Sequence, residues 1–154
     1  MVKRIVRYQG VVIRDDHILL VKHREHATGR SYWVIPGGGR EDNETEEACL
    51  QREILEETHL VVTIERLLFD EAAPTGGYQC LKTYLCNISI GDALPGYEPE
   101  TEAAQRYAIT EVGWFDLHHP ASWDNQIKTD SITYPLLQKI QAILGYPIGR
   151  YSEI

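Results

Sequence analysis

The stretch from Arg52 to Glu57 reads REILEE and places three glutamates within five residues. Residues 45–58 around it favour a helix, because Thr45 can act as the N-cap and acids follow in the first turn. On one helix these glutamates crowd together, and like charges at this spacing destabilise a helix by roughly 0.2–0.5 kcal/mol per pair. The acidic surface therefore needs an explanation.

Helical rotation of about 100° per residue gathers four acids into an arc of roughly 100°. They are Glu46, Glu53, Glu56 and Glu57. The rest of the helix surface is predicted to face the core and carries Ala48, Leu50, Ile54 and Leu55. A solvated charged face is the ordinary interpretation, but such faces usually mix charges, and this helix has no lysine. A hard divalent cation such as Mg²⁺ would also relieve the repulsion, since it takes oxygen ligands. These residues alone leave both interpretations open.

Length, charge and cysteine content set the class of protein. A chain of 154 residues has the length of one domain, so we expect residues 1–154 to form a single unit. The net charge of −8 argues against broad contact with nucleic acid, without excluding a small anionic substrate. No stretch approaches the roughly 18 apolar residues of a membrane span, and the N-terminus lacks a secretory pattern. Three cysteines without metal-site spacing indicate a reducing compartment, so we expect a cytoplasmic protein without membrane contact.

The segments outside the acidic helix carry mostly strand signals. A hairpin is predicted around Asp15-Asp16, and a short strand is predicted before Pro36, ended by that proline and three glycines. Further strands are predicted at residues 60–69, 78–90 and 111–117. A last helix is predicted with an apolar face made of Leu136, Leu137, Ile140, Ile143 and Leu144. Strands mixed with two helices indicate an α/β sandwich.

Residues 38–60 read GGREDNETEEACLQREILEETHL, which resembles the signature of the Nudix hydrolase family, of the MutT-like type. The positions that match at the right spacing are Gly38, Glu44, Arg52, Glu53, Ile54, Glu56, Glu57 and Leu60. One position departs, because His59 stands where the family usually has a glycine that ends the helix. We expect His59 to adopt the left-handed conformation at a modest local cost.

The resemblance implies an α/β/α sandwich with a mixed central β-sheet. It also implies a Mg²⁺-dependent pyrophosphohydrolase, with Mn²⁺ as an alternative ion, that cleaves a nucleoside diphosphate linked to another moiety. ADP-ribose, dinucleoside polyphosphates, nucleotide sugars and nucleoside triphosphates all remain candidate substrates. The implied metal ligands are the carbonyl of Gly37 and the carboxylates of Glu53, Glu56 and Glu57. Glu53 is alternatively the base that accepts a proton from water.

Other residues are candidates for catalysis or substrate binding. Glu100 and Glu102, in a predicted loop, are further candidates for the general base, although plain loop solubility explains them equally well. Arg24, Gly38 and Arg52 are candidates for substrate binding, and Arg52 is also expected to pair with Glu56 or Glu44. Tyr78, Tyr97 and Trp123 are candidates to stack on a nucleobase. We predict that His23 and His26 do not form a metal pair, and that Cys49 has a packing role rather than a reactive thiol.

Two further hypotheses compete with the enzyme. A catalytically silent Nudix-like module would bind a nucleotide or a partner and regulate another process. A nonenzymatic acidic domain is the more distant alternative. The intact glutamates favour the enzyme. A small nucleotide is the expected partner, and the sequence is compatible with a homodimer without indicating one.

Overall fold

The computed structural model describes residues 5–73, 77–96 and 106–147. Within these ranges seven strands are present: β1 Val6–Arg14, β2 His17–Glu25, β3 Ser31–Val34, β4 Gly37–Gly39, β5 Val61–Ala72, β6 Cys80–Ile90 and β7 Tyr107–Asp116. The helices described in the same ranges are α1 Glu46–Thr58, α2 Asn125–Lys128 and α3 Thr133–Leu144, with a 3₁₀ turn at Pro120–Ser122. Glu100, Glu102 and Tyr97 lie outside the described residues. Within the described ranges, no helix is long and apolar enough to cross a membrane.

The sheet is mixed, as expected. Its main path runs β3-β2-β1-β6-β5, with β4 paired to β1 and β7 paired to β2. Strands β1 and β6 are parallel, whereas the other pairs are antiparallel. Strand β1 pairs with β2, β4 and β6, and β2 pairs with β1, β3 and β7, so these two strands form the centre of the sheet.

Two apolar cores lie on opposite faces of the sheet. Successive side chains of a strand point to opposite faces, and Val11 and Val12 of β1 accordingly belong to different cores. Val12 packs in the core that contains Leu50 and Ile54 of α1. Val11 packs in the core that α2 and α3 cover. The chain is therefore an α/β/α sandwich, which confirms the predicted fold class.

The hairpin between β1 and β2 forms where the sequence predicts it. Asp15 and Asp16 have φ values of 50° and 62°, and two successive residues with positive φ make the turn that suits the twist of a hairpin. The glycine run was expected only to end a strand, and this was wrong, because Gly37–Gly39 form a strand that pairs with β1. A side chain at Gly37 would lie 2.1 Å from the carbonyl oxygen of Tyr8, so the pairing requires glycine there.

Helix α1 begins and ends as predicted. The hydroxyl of Thr45 accepts a hydrogen bond from the backbone N–H of Ala48 at 3.0 Å. His59 takes the left-handed conformation, with φ 64°, and its N–H donates to the carbonyl of Leu55. A loop covers this end, since the N–H of Gly96 donates to the carbonyl of Glu57. The missing glycine is therefore compensated locally.

The predicted faces of α1 and α3 are partly wrong. Leu50 and Ile54 of α1 are buried, but Ala48 is exposed and Leu55 is 47% exposed. On α3, Leu137 and Ile140 are fully buried. Ile143 was predicted for the same face and is 39% exposed. The error on α1 matters most, because acidic side chains take the buried positions there.

Candidate functional site

The glycine strand β4 lies directly against helix α1. A Cβ added to Gly38 would lie 2.5 Å from the carboxyl carbon of Glu53, so only glycine leaves room for that carboxylate. The backbone N–H of Gly37 donates to Oε2 of Glu57 at 3.2 Å. Two carboxylates of α1 are thus seated against the strand, and each side chain is only about 2% exposed.

Arg52 organises the carboxylates on the same side of the helix. Its Nε and Nη2 donate to the two carboxylate oxygens of Glu44 at 2.7 and 2.9 Å. Its Nη1 donates to Oε1 of Glu53 at 3.0 Å and to Oε1 of Glu56 at 3.1 Å, and its Nη2 also donates to the carbonyl of Gly39. Each guanidinium nitrogen therefore donates to a group of this chain, so Arg52 acts here as a holder of carboxylates.

The ion pair shifts the pKa values of both partners. The hydrogen bond from Arg52 holds the pKa of Glu44 below its ordinary value. The bond to Glu44 likewise raises the pKa of the Arg52 guanidinium, although burial of the guanidinium opposes this. Both groups are therefore charged at neutral pH, and the expected pairing of Arg52 with Glu44 and Glu56 is present.

Glu46, the fourth acid of the predicted arc, has a different environment. It accepts hydrogen bonds from Tyr84 and from Lys82, both on β6. The bond from Tyr84 is the larger cause of a lowered pKa of Glu46. This carboxylate fastens the first turn of α1 to the sheet.

The groups beside β4 carry oxygen atoms, which is the type of ligand that a hard divalent cation takes. Oε2 of Glu56 is buried and has no hydrogen-bond partner within the described part of the chain. The same part contains no set of three acidic, imidazole or thiol side chains gathered closely enough to hold a metal ion. Glu53 and Glu56 both accept hydrogen bonds from the guanidinium of Arg52. Carboxylate and carbonyl oxygens are nevertheless the ligands that such cations prefer.

His23 lies beside the carboxylate of Glu57, a position that the sequence did not indicate. It is 5% exposed, and its Nε2 lies 3.9 Å from Oε1 of Glu57. It lies on the same face of β2 as Leu19 and Val21, but Ile18 and Leu20 are fully buried as well, so the pattern of burial along the strand did not single out His23. His26 follows β2, at an exposed position.

Arg7 is a second residue that lies at the glycine strand without any signal in the sequence. Its Nη1 donates to the carbonyl of Gly37 at 3.2 Å, and its Nη2 donates to the carbonyl of Ile35 at 2.8 Å. Arg24 is exposed, and as the neighbour of His23 on β2 it points to the opposite face of the sheet. The structure thus brings Arg7, and not Arg24, to the glycine strand.

The remaining candidates lie in distinct places. Tyr78 lines a cavity of about 480 Å³ beside Gly39 and the loop that precedes α1. Trp123 is 2% exposed and belongs to the core under α3. Burial raises the pKa of the Cys49 thiol to about 12, which agrees with a packing role.

Comparisons with known proteins identify the family of this chain. Residues 5–133 match the model of the NUDIX domain. Over 110 residues the chain is 35% identical to the NAD-capped RNA hydrolase NudC of Vibrio cholerae. The aligned region covers 70% of this chain and 36% of that protein. Over 69 residues it is 36% identical to the ADP-ribose pyrophosphatase of Methanocaldococcus jannaschii, covering 45% and 40% respectively. The matched region is thus well under half of each curated relative.

The fold also resembles that of a solved NUDIX hydrolase. The crystal structure of a NUDIX hydrolase from Nitrosomonas europaea aligns with a TM-score of 0.69 and 26% identity, covering 96% of this chain and 76% of that chain. NUDIX hydrolases generally use divalent metal ions. Because the matched region covers all seven strands and helix α1, the chain belongs to the NUDIX domain family.

Proposed function

We propose that this chain is a Mg²⁺-dependent pyrophosphohydrolase that cleaves a nucleoside diphosphate linked to another moiety. The burial of Glu53 and Glu57, both about 2% exposed on one helix, carries the proposal. Buried carboxylates are costly unless charged partners, hydrogen bonds or metal ions compensate them. A solvated charged face would not bury them, whereas costly burial of acids is typical of active sites.

The cation would be held by Glu56, Glu57 and the carbonyl of Gly37, with Glu53 as a further ligand. We propose Mg²⁺, with Mn²⁺ as a substitute, because all of these donors are oxygens. When bound, such an ion neutralises charge on a pyrophosphate and lowers the pKa of a bound water. The buried Oε2 of Glu56 supports this assignment. Arg52 donates to the other oxygen, Oε1, so Oε2 is available to a ligand.

The chain's own residues would prepare the reaction. Arg52 fixes the carboxylates of Glu53 and Glu56, so that they do not have to be ordered during turnover. Glu53 is our candidate for the base that accepts the proton of the attacking water, because its carboxylate is confined against Gly38. Glu100 and Glu102 remain alternative candidates for that base.

We propose a small nucleotide as substrate, acted on in the cytoplasm by a single domain over residues 1–154. ADP-ribose leads the candidates, because one relative is named for its hydrolysis. Another relative is named for NAD-capped RNA, so a capped RNA belongs in the test. The net charge of −8 argues against contact along an RNA chain and favours the small nucleotide.

The test is hydrolysis of a substrate panel in isotopically labelled water. The panel contains ADP-ribose, dinucleoside polyphosphates, nucleotide sugars, nucleoside triphosphates and a NAD-capped RNA, each with Mg²⁺ and with a chelator. We expect Mg²⁺-dependent cleavage of at least one compound, with the label in one phosphate product. Glu56→Gln should reduce the rate by more than about 100-fold, the upper end of the cost of losing an outer-shell partner. Nucleotide binding without turnover of any compound would instead identify a silent binding module.

A further inference from the structure

His23 meets the carboxylate of Glu57 in the interior of the protein. His23 comes from β2 and Glu57 from the last turn of α1, and their side chains are 7% and 2% exposed. Nε2 of His23 lies 3.9 Å from Oε1 of Glu57. The other carboxylate oxygen, Oε2, accepts the N–H of Gly37. Two separate elements thus approach the two oxygens of one carboxylate.

Two tyrosine rings fix the direction in which His23 points. Tyr107 of β7 stacks on the imidazole, with ring centroids 4.2 Å apart and planes at 13°. Tyr32 of β3 approaches edge-on, with centroids 5.6 Å apart, and is the cross-strand partner of His23. Such packed aromatic pairs have defined geometries. The imidazole is therefore held with Nε2 towards Glu57.

We propose that His23 is a positioning residue that orients Glu57 for binding of the divalent cation. The proposal rests on the proposed function, in which Glu57 is a metal ligand. The separation of 3.9 Å exceeds a hydrogen bond, but such contacts are often long without ligand and tighten in the complex. A carboxylate that ligates a metal is commonly held by an outer-shell partner, and loss of that partner typically costs about 10–100-fold in metal affinity or activity.

His23 acts through Glu57 and does not itself coordinate the cation. Mg²⁺ prefers oxygen ligands, whereas imidazole suits softer transition metals. In the described part of the chain, no set of three acidic, imidazole or thiol side chains that includes His23 is gathered around one point. The competing explanation is a core histidine that only packs against tyrosines, and the experiment has to separate the two.

The experiment measures the affinity of the protein for Mn²⁺, by the electron paramagnetic resonance signal of the free ion. His23→Phe keeps a ring for the stack on Tyr107 and removes the N–H. We expect it to weaken Mn²⁺ binding by about 10–100-fold. His23→Gln restores an N–H donor at a similar reach, and we expect its Mn²⁺ affinity to lie within about threefold of wild type, well short of that loss. If His23→Phe does not fold, His23→Leu takes its place.

The matched control is Val21→Ala, on the same face of β2 two residues earlier. Val21 is fully buried, so this change lowers the melting temperature of the metal-free protein, but it should leave Mn²⁺ affinity unchanged. Equal losses of affinity in Val21→Ala and His23→Phe would mean that destabilisation alone weakens the site, and would overturn the proposal. Unchanged affinity in His23→Phe, or a loss in His23→Gln as large as in His23→Phe, would overturn it too.

The outcomes also separate this proposal from the proposed function. If the wild type binds Mn²⁺ but hydrolyses no compound of the panel, the enzymatic proposal fails while the role of His23 is still decided by affinity. If the panel reveals a substrate and His23→Phe binds Mn²⁺ like wild type, only the role of His23 fails. A wild type that binds no Mn²⁺ contradicts both.

Discussion

Helices α1 and α3 lie on opposite faces of one sheet, and they use their buried surfaces differently. On α3 the buried positions include Leu137 and Ile140, both fully inaccessible. Its buried polar groups are neutral, such as Thr133, whose hydroxyl donates to the carbonyl of Trp33 at 2.7 Å. On α1 the buried positions include two glutamates, while Leu55 of the same helix is 47% exposed.

The difference separates a helix that covers a core from a helix that carries a site. An apolar stripe at the helical period is what a surface helix needs in order to pack, and α3 largely follows that rule. Helix α1 keeps part of a stripe, with Leu50 and Ile54, and gives the adjoining buried positions to Glu53 and Glu57. Departures from local rules are expected at functional sites, where other interactions compensate them.

The largest stability effect should come from α3. Leu137→Ala removes a fully buried side chain and should lower the free energy of unfolding by about 2–5 kcal/mol, through lost burial and a cavity. Denaturant unfolding of both proteins measures this. Below the transition, Mn²⁺ affinity should not change, because α3 lies on the other face of the sheet from the carboxylates.

Leu55→Ala on α1 is the matched control, with the same chemical change at an exposed position. We expect it to alter the free energy of unfolding by less than about 0.5 kcal/mol. A loss at Leu55 as large as that at Leu137 would contradict the contrast between the two helices, since it would mean that α1 also depends on an apolar face at that position.

Much of the fold could be predicted because local chemistry decides it. Thr45 is a good N-cap, the Asp15-Asp16 pair tolerates positive φ, and His59 takes the left-handed cap that the spacing required. The strand at Gly37–Gly39 could not be predicted, because glycine disfavours strands by propensity. Its pairing depends on how closely β1 approaches, and that distance is set by the tertiary structure rather than by the local sequence.

The site could be predicted only in part. The spacing of Glu53, Glu56 and Glu57 located it, but a helical wheel ranks residues by polarity and therefore placed these acids away from the core. Their burial depends on β4, which leaves room for one carboxylate and donates to another. His23 and Arg7 come from strands distant in sequence, so no local motif could connect them with the helix.

A smaller effect should come from the contact between β4 and α1. Gly38→Ala places a methyl group 2.5 Å from the carboxyl carbon of Glu53, and we expect a loss of about 1–3 kcal/mol in the free energy of unfolding from overpacking. Displacement of the carboxylate should also weaken Mn²⁺ binding, whereas Leu137→Ala should leave Mn²⁺ binding unchanged.

Gly77→Ala is the control, because a side chain there would meet no described atom within 4 Å. Its stability should be unchanged or raised by up to about 1 kcal/mol. Equal losses in the two variants would refute a specific role for the space at Gly38.

The smallest expected effect concerns pH. The stability contributed by the ion pair between Glu44 and Arg52 should depend on pH, whereas that contributed by the apolar contacts of α3 should not. Glu44 has a pKa below its ordinary value of 4.5 because Arg52 donates to it. A carboxyl whose pKa is lower in the folded state contributes stability fully above its unfolded pKa, and this contribution is lost as pH falls through the folded pKa. Glu44→Gln should therefore lower the free energy of unfolding by about 1 kcal/mol at neutral pH.

That difference should shrink towards zero as the medium is acidified below pH 4.5, where the wild-type carboxyl takes up a proton as well. The comparison uses urea unfolding of wild type, Glu44→Gln and Leu137→Ala at a series of pH values. The deficit of Leu137→Ala should stay constant over the same series, because an apolar contact does not titrate. If the loss of free energy of unfolding in Glu44→Gln stays constant or grows in acid, the ion pair between Glu44 and Arg52 does not stabilise the fold. The arrangement of charges around α1 would then need another explanation.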